Sequence, residues 1–337
     1  MSKMSTDLVR HALNGPTMGT RWSALFHMPA GFDAAPVAAA MQAAVADVDA
    51  QMSTWKPDSD LMRLNAAAPD VWVAVPPPLM TVLKSALDIG RASQGAFDIG
   101  VGDAVAAWGF GPKDASAPDI RSALDRARRP AHEVLDLDPA HCRVRKHGAL
   151  PLDLSGIAKG YGVDRLADVA AAFGIANALL AIDGELRAIG LQPDGAAWTV
   201  AVERPDHGAR APHAILALQD AAVATSGDYR HWVEVGGRKL SHTIDPVRGG
   251  PLATSPASVT VVAATCMAAD AWATALMVRG SREGAELARR QHIDALFIER
   301  EGDNLRETRV GRLFESPSPS DAAPDTAMHA STGMCEG

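Results

Sequence analysis

The chain has 337 residues, 47% of them hydrophobic and 21% charged, a composition that builds a packed core and excludes a disordered polymer. Its 32 basic and 40 acidic side chains leave a formal charge of −8, which excludes a nonspecific hold on nucleic-acid phosphate as the main activity. No stretch reaches the roughly 18 uninterrupted apolar residues of a membrane span, and the length suits one large domain or two lobes.

In chain order, Met1 to Asn14 lacks the basic start and apolar run of a secretory leader. The chain therefore reads as cytoplasmic as written, or periplasmic if a leader has been removed. Thr20 to His27 alternates as a strand does, and Ala34 to Met52 carries aliphatic residues at helical spacing. The segment STWKPDSDLMRLN reads as a polar loop. Pro76 to Ala92 reads as a helix with its prolines at the start and Gly95 just beyond its end. GAFDIGVGDAVAAWGFGP is punctuated by glycine and reads as loop.

Val134 to Asp153 predicts a hairpin around a Pro-Ala turn, and a helix runs from Gly156 to about Phe173. LLAIDGELRAIG, WTVAVERP and HAILAL read as strands. WVEVGGRKLSH reads as a hairpin turning at Gly236-Gly237. Ser258 to Ala264 is a buried strand, Thr265 caps a helix to Val278, and Gly280 closes it before a second helix from Ser281. IDALFIER reads as the last strand. Strands and helices in mixed order with several hairpins predict an α+β fold.

Four groups of residues carry possible chemistry. Asp270 and Thr274 are four apart on an otherwise apolar helix, so both oxygens share one face. A buried carboxylate needs a cation or donors, and a hard divalent ion would suit these oxygens. An Asp bonded to nearby backbone or Arg suits the spacing as well, and spacing alone favours it. DLSGIAKGYGVD puts Lys159 in the first turn of a helix after a tight Ser155-Gly156 turn, a place for phosphate without the Walker spacing. ATSGDYRHWVEVGGRKLSHTIDP brings Ser226, Asp228, His242 and Asp245 to strand ends. His242 is a candidate general base, although a lone strand histidine is more often structural, and Ser226 lacks a GxSxG elbow. GPTMGT, STWKPDSDLMRLN and GAFDIGVG supply glycines with Met18, Trp55 and Phe97 as walls for a flat aromatic ligand, or simply loop and core. The three cysteines, Cys142, Cys266 and Cys335, are far apart and form no metal knuckle or disulfide framework.

The blocks PTMGT, MSTWKPDSDLMRLN, GAFDIGVG, DLSGIAKGYGVD, IDGELRAIG, ATSGDYR, SHTIDP and AADAWATAL, in this order from residue 15 to about 280, resemble the ApbE family of FAD:protein FMN transferases. The resemblance implies an α+β architecture of two lobes with mixed or antiparallel sheets and FAD between them. Residues 1–14 would then be an N-terminal extension, 15–315 the transferase domain and 316–337 a disordered tail.

It also implies a Mg2+-dependent enzyme that cleaves FAD, releases AMP and attaches FMN by a phosphoester to a Thr or Ser hydroxyl of an acceptor flavoprotein. By resemblance, Met18, Trp55, Ala96, Phe97, Asp98, Asp153, Lys159 and Ile244 contact FAD. Asp270 and Thr274 side chains with main-chain oxygens of Gly156 and Ala273 hold the metal, and His242 is the general base. Three positions depart from the family's usual pattern: Asp183-Gly184 stands for Gly-Gly, Thr243 for Ile or Val, and Trp55 for Tyr. The alternatives are a Mg2+-dependent FAD pyrophosphatase and a non-enzymatic flavin-binding protein. The chain's only tyrosines, Tyr161 and Tyr229, both fall inside these blocks.

Overall fold

The computed structural model describes residues 8–206, 211–229, 232–235, 238–302 and 304–314. Its strands are β1 (Leu8–Thr17), β2 (Thr20–Pro29), β3 (Trp72–Ala74), β4 (Leu135–Asp138), β5 (Arg143–Lys146), β6 (Ala178–Ile182), β7 (Glu185–Ile189), β8 (Trp198–Glu203) and β9 (Pro212–Leu218). They continue with β10 (Ala221–Gly227), β11 (Trp232–Val235), β12 (Arg238–Ser241), β13 (Ile244–Asp245), β14 (Gly250–Pro251), β15 (Ser258–Ala263), β16 (Asp294–Glu301) and β17 (Asn304–Val310). The helices are α1 (Ala35–Met52), α2 (Asp60–Ala66), α3 (Pro77–Ala92), α4 (Gly102–Ala107), α5 (Ala117–Asp125), α6 (Ala131–Val134), α7 (Ala158–Ala172) and α8 (Cys266–Arg290).

Among the described residues, eight strands form one sheet in the order β1-β2-β6-β7-β10-β15-β16-β17, each neighbour antiparallel. The period-two alternation of its strands sorts side chains onto two faces. Trp22, Ala24 and Phe26 of β2 face Val37, Met41 and Val45 of α1, together with Val163, Leu166 and Ala170 of α7. Val259 and Val261 of β15 and Phe297 of β16 face Ala269, Ala273 and Leu276 of α8. The opposite face, carrying Val262, Leu296 and Ile298, is covered by Trp198, Val200 and Leu216 of the β8–β9 hairpin.

A second lobe is built without the large sheet. Leu61 and Leu64 of α2, Leu79 and Leu83 of α3, Phe97, Val144 of β5, and Leu152, Leu154 and Ile157 share its core. Ala271 and Ala275 of α8 and Tyr161 of α7 belong to the same cluster. Helices α7 and α8 are thus common to both lobes, packing on the sheet and on the second core.

Most expected elements are present, with their punctuation. Thr265 caps α8 by accepting from Ala268 N at 3.3 Å, and Gly280 breaks that helix with φ 73° and ψ 172°. Asp183, at φ 54°, makes the two-residue turn between β6 and β7 with Gly184. The mixed or antiparallel sheets of the expectation are antiparallel in every described pairing.

Four segments differ from the expectation. Leu8–Asn14, read as part of an extension, form the outer part of β1, where Arg10, His11 and Asn14 give an edge strand a polar pattern. A further edge strand, β17, follows IDALFIER, and its NLRETRV sequence hides it for the same reason. The loop STWKPDSDLMRLN contains α2, capped by Ser59 Oγ accepting from Met62 N. Likewise GAFDIGVGDAVAAWGFGP contains the short α4. The Gly236-Gly237 turn and residues 316–337 lie outside the described residues.

Candidate active site

The site begins where the second lobe hands over to α7. Asp153 N donates to Ile99 O at 2.9 Å, which holds the Asp153 segment beside the Ala96–Asp98 stretch. Asp153 Oδ1 accepts from Ser155 N at 2.8 Å, an Asx turn that reverses the chain into the helix. The other carboxylate oxygen, Oδ2, is buried with no hydrogen-bond partner among the described groups. Burial pushes the Asp153 carboxyl above the ordinary carboxylate range, against the Ser155 hydrogen bonds.

Gly156 is pressed between two candidate site side chains, Thr274 and Phe97. A Cβ there would lie 3.0 Å from Thr274 Oγ1 and 3.3 Å from the Phe97 ring. Only glycine lets the α7 entry approach α8 this closely. Thr274 Oγ1 is also 3.4 Å from Ser226 Oγ of β10. One turn on, Gly160 N donates to Asp270 Oδ2 at 3.0 Å. Asp164, also on α7, accepts from Cys266 N and Met267 N at 2.9 Å each, taking up the free N–H groups at the start of α8. Arg187 Nη1 braces Asp164 at 2.6 Å.

Electrostatics set this crossing apart. Lys159 Nζ lies 3.0 Å from Glu185 Oε1 and 3.7 Å from Asp183 Oδ2. Burial opposes its charge, but Glu185, Asp270 and Asp183 outweigh that and hold the ammonium above the usual lysine range. Asp270 is 5% exposed, and burial followed by the Glu185 charge pushes its carboxyl up to about 7, against Lys159 and the Gly160 N–H. One ammonium faces three carboxylates here, so full ionisation of these four groups gives the cluster a net negative charge.

The excess negative charge and the donors fit Mg2+. Asp270 offers a carboxylate and Thr274 a hydroxyl beside the Gly156 turn, all hard oxygen ligands. Among the described residues, no group of three or more His, Cys, Asp or Glu side chains could hold a metal ion. A centre at this crossing would therefore use one carboxylate, one hydroxyl and main-chain oxygens, the composition of a Mg2+ site that leaves positions for water and phosphate. The Ala273 side chain is fully buried in the sheet-facing core, while Thr274 points to Gly156.

The remaining expected residues fall into three places. Met18 occupies the β1–β2 turn at φ 46°, and its Cε would be 3.2 Å from a Cβ on Gly162 of α7, one turn beyond Lys159. Trp55 is 64% exposed in the loop between α1 and α2, an aromatic surface left open. Ala96 and Phe97 are buried. The Asp98 carboxylate is taken up by backbone, with Oδ1 accepting from Gly100 N at 2.7 Å and Oδ2 from Ala131 N at 3.1 Å. Burial raises its pKa above the ordinary value in spite of those bonds.

His242, in the link between β12 and β13, and Ile244, on the β13–β14 hairpin, sit on a separate support. Ile244 is buried in a small cluster with Trp108 and Ala104, and the Phe110 ring meets the His242 ring edge-on at 6.3 Å. Leu252 N donates to Thr243 O, and Leu252 packs in the cluster containing Ala273 of α8, which ties this hairpin to the metal-candidate helix.

The structure therefore gathers Gly156, Lys159, Asp270 and Thr274 tightly, with Phe97, Asp153 and Met18 around them. Sequence reading did not assign roles to Glu185, Asp183 or Asp164. The i to i+2 spacing of Asp183 and Glu185 across a turn was visible, but nothing local says that Lys159 lies opposite.

The ApbE family model matches residues 18–297. This chain belongs to the ApbE family. Among its ApbE relatives, the FAD:protein FMN transferase of Vibrio cholerae serotype O1 is 38% identical over 299 residues, covering 88% of this chain and 89% of that one. The FAD:protein FMN transferase of Escherichia coli K12 is 34% identical over 312 residues, covering 90% and 88%. The flavin transferase ApbE structure from Vibrio cholerae superposes with a TM-score of 0.79 at 34% identity, over 90% of this chain and 97% of that one. The apo flavinyl transferase ApbE of Pseudomonas stutzeri gives the same TM-score and identity over 92% and 96%. The fold is the α+β architecture of ApbE flavin transferases.

Proposed function

We propose that this ApbE chain is a Mg2+-dependent FAD:protein FMN transferase that releases AMP and attaches FMN through a phosphoester to a Thr or Ser hydroxyl of an acceptor flavoprotein. The observation that carries the proposal is the α7–α8 crossing, where Lys159, Asp270 and Thr274 meet at a helix start with excess negative charge. The names of the relatives support flavin transfer from FAD, and the hard-oxygen donor set supports the metal.

In this reading the pyrophosphate lies over the first turn of α7. The positive end of the helix dipole there favours an anion. Lys159, held charged by Glu185 and Asp183, keeps a donor direction for a phosphate oxygen. Asp270, Thr274 and the main-chain oxygens of Gly156 and Ala273 would hold Mg2+, which supplies charge neutralisation at the pyrophosphate oxygens. Met18, the exposed Trp55 and the Ala96–Asp98 stretch line the flavin side, with Asp153 and Ile244.

The acceptor hydroxyl is a weak nucleophile until a base removes its proton. An imidazole nitrogen of His242 takes that proton as the hydroxyl oxygen bonds to the FMN phosphorus. The phosphoanhydride P–O bond breaks, and its electron pair leaves on AMP. Lys159 stabilises the charge that develops on the leaving phosphate.

The test is to incubate the protein with FAD, MgCl2 and the acceptor protein of the Vibrio cholerae relative. In-gel flavin fluorescence of the acceptor with equimolar AMP is the expected result. AMP with free FMN alone would establish a pyrophosphatase instead, and absence of AMP would overturn both enzymatic readings. His242→Ala should keep FAD affinity and lose transfer by about 100-fold or more, the usual scale of a general base.

A further inference from the structure

Residues 101–128 form a wing with two attachments. At its root, Gly102 N donates to Pro151 O at 3.1 Å, and a Cβ on Gly102 would lie 2.9 Å from the same oxygen, so α4 is set directly against the segment leading to Asp153. At its far end the wing grips the β13–β14 hairpin. Trp108 Nε1 donates to Gly249 O at 3.1 Å, a buried bond 141 residues apart in sequence. Its indole also packs on Gly250, where a Cβ would come within 3.3 Å of Cζ2.

Arg128 locks this arrangement. Its Nη1 and Nη2 donate to Asp103 of α4 at 3.0 and 2.9 Å, a bidentate pair on a guanidinium only 9% exposed. Nη2 also donates to Ala123 O at 3.1 Å, and the guanidinium lies against Gly249, whose φ is +66°. Ile244 fills the cluster between these groups, and Leu240 on the strand before His242 packs on it too. The Phe110 ring then meets His242 at 6.3 Å and 71°, inside the range of an edge-on aromatic pair.

We propose that Trp108 and Phe110 are positioning residues for His242. Trp108 fixes the height of the hairpin through Gly249, and Phe110 fixes the direction of the imidazole. Because the same wing is rooted beside Asp153, it sets the separation between the FAD contact and the base. The inference rests on the reading of His242 as the base of the transfer. It predicts a requirement in the chemical step rather than in FAD binding.

Two conservative variants test it in the full chain with FAD, MgCl2 and the acceptor of the Vibrio cholerae relative. Trp108→Phe keeps a ring and removes the N–H donor, and Phe110→Leu keeps apolar bulk and removes the ring edge. Rates are normalised to FAD-binding sites counted by fluorescence titration. Each variant is expected to lose about tenfold in kcat, the scale of a small misplacement of a reacting group, with FAD affinity unchanged within about twofold. On a His242→Ala background neither is expected to lower the residual rate further, because residues acting through one group are not additive. An equal loss on both backgrounds would make the wing a general structural support and overturn the proposal. No loss in the single variants, with His242→Ala impaired, would overturn it while leaving the base intact. A fully active His242→Ala would remove the base reading and this inference with it.

Discussion

Gly160 and Asp270 lock α7 to α8 at the centre of the site. The Gly160 N–H donates to Asp270 Oδ2 at 3.0 Å, and a Cβ on Gly160 would overlap the Cys266 carbonyl and come within 2.8 Å of the Asp270 Cβ. The position tolerates no side chain, since the obstacle is α8 backbone and cannot rotate away. Gly160→Ala is expected to destabilise the fold by about 1–3 kcal/mol, the range of overpacked cores, and to weaken Mg2+ binding as the helices part. Urea unfolding and isothermal titration with MgCl2 check the two effects, and a variant with unchanged stability would show that the helices have room to move.

Asp270 itself should be indispensable to turnover. Asp270→Ala removes the proposed carboxylate ligand and is expected to lower metal-dependent AMP release by at least about 100-fold, as loss of several kcal/mol of charge stabilisation requires. Chromatographic quantitation of AMP reads the effect. Full activity in this variant would move the metal elsewhere in the chain.

Lys159 has a structural consequence separable from its proposed contact with phosphate. Glu185 is 4% exposed and depends on the ammonium 3.0 Å away. Lys159→Met strands that carboxylate and is expected to cost about 3 kcal/mol, the scale for removing one partner of a buried pair. The double variant Lys159→Met/Glu185→Leu should recover part of the stability, since it leaves no orphaned charge on that pair, while transfer stays lost. Denaturant midpoints of the three proteins decide it.

Asp103 gives the wing a pH signature. Burial opposes its charge, but hydrogen bonds from Arg128 and Arg126 outweigh burial and hold the carboxyl below the ordinary 3.8. A carboxyl lowered on folding contributes stability above its unfolded pKa, and that contribution is lost as pH falls through the folded value. Asp103→Asn should therefore be less stable than the parent by a constant margin at neutral pH, with the gap closing below pH 3.8. Urea melts from neutral pH downward measure the margin, and a gap that widens on acidification would reverse the assignment.

Strong periodic segments and capping residues were legible without coordinates. The aliphatic spacing of Val37, Met41 and Val45, the Thr265 cap and the Gly280 break each depend on residues within a few positions of one another. Strands β1 and β17 escaped because edge strands bury one face at most and carry polar side chains along the other. The short helices α2 and α4 escaped because six or seven residues make fewer than two turns, too few for periodicity to rise above loop composition.

The site divides along the same line. Sequence alone determined that Asp270 and Thr274 share a helix face, that Lys159 starts a helix after a tight turn, and that the ordered blocks match the ApbE pattern, because all of these are properties of spacing. Only the tertiary structure decided that Glu185 and Asp183 hold Lys159, that Gly156 and Gly160 bring α7 against α8, and that Trp108 reaches the β13–β14 hairpin and Phe110 reaches His242 just before it. Those pairings join residues 24 to 141 positions apart. They arise from the packing of two lobes on a shared pair of helices, and no local pattern encodes which distant side chains that packing brings within hydrogen-bonding reach.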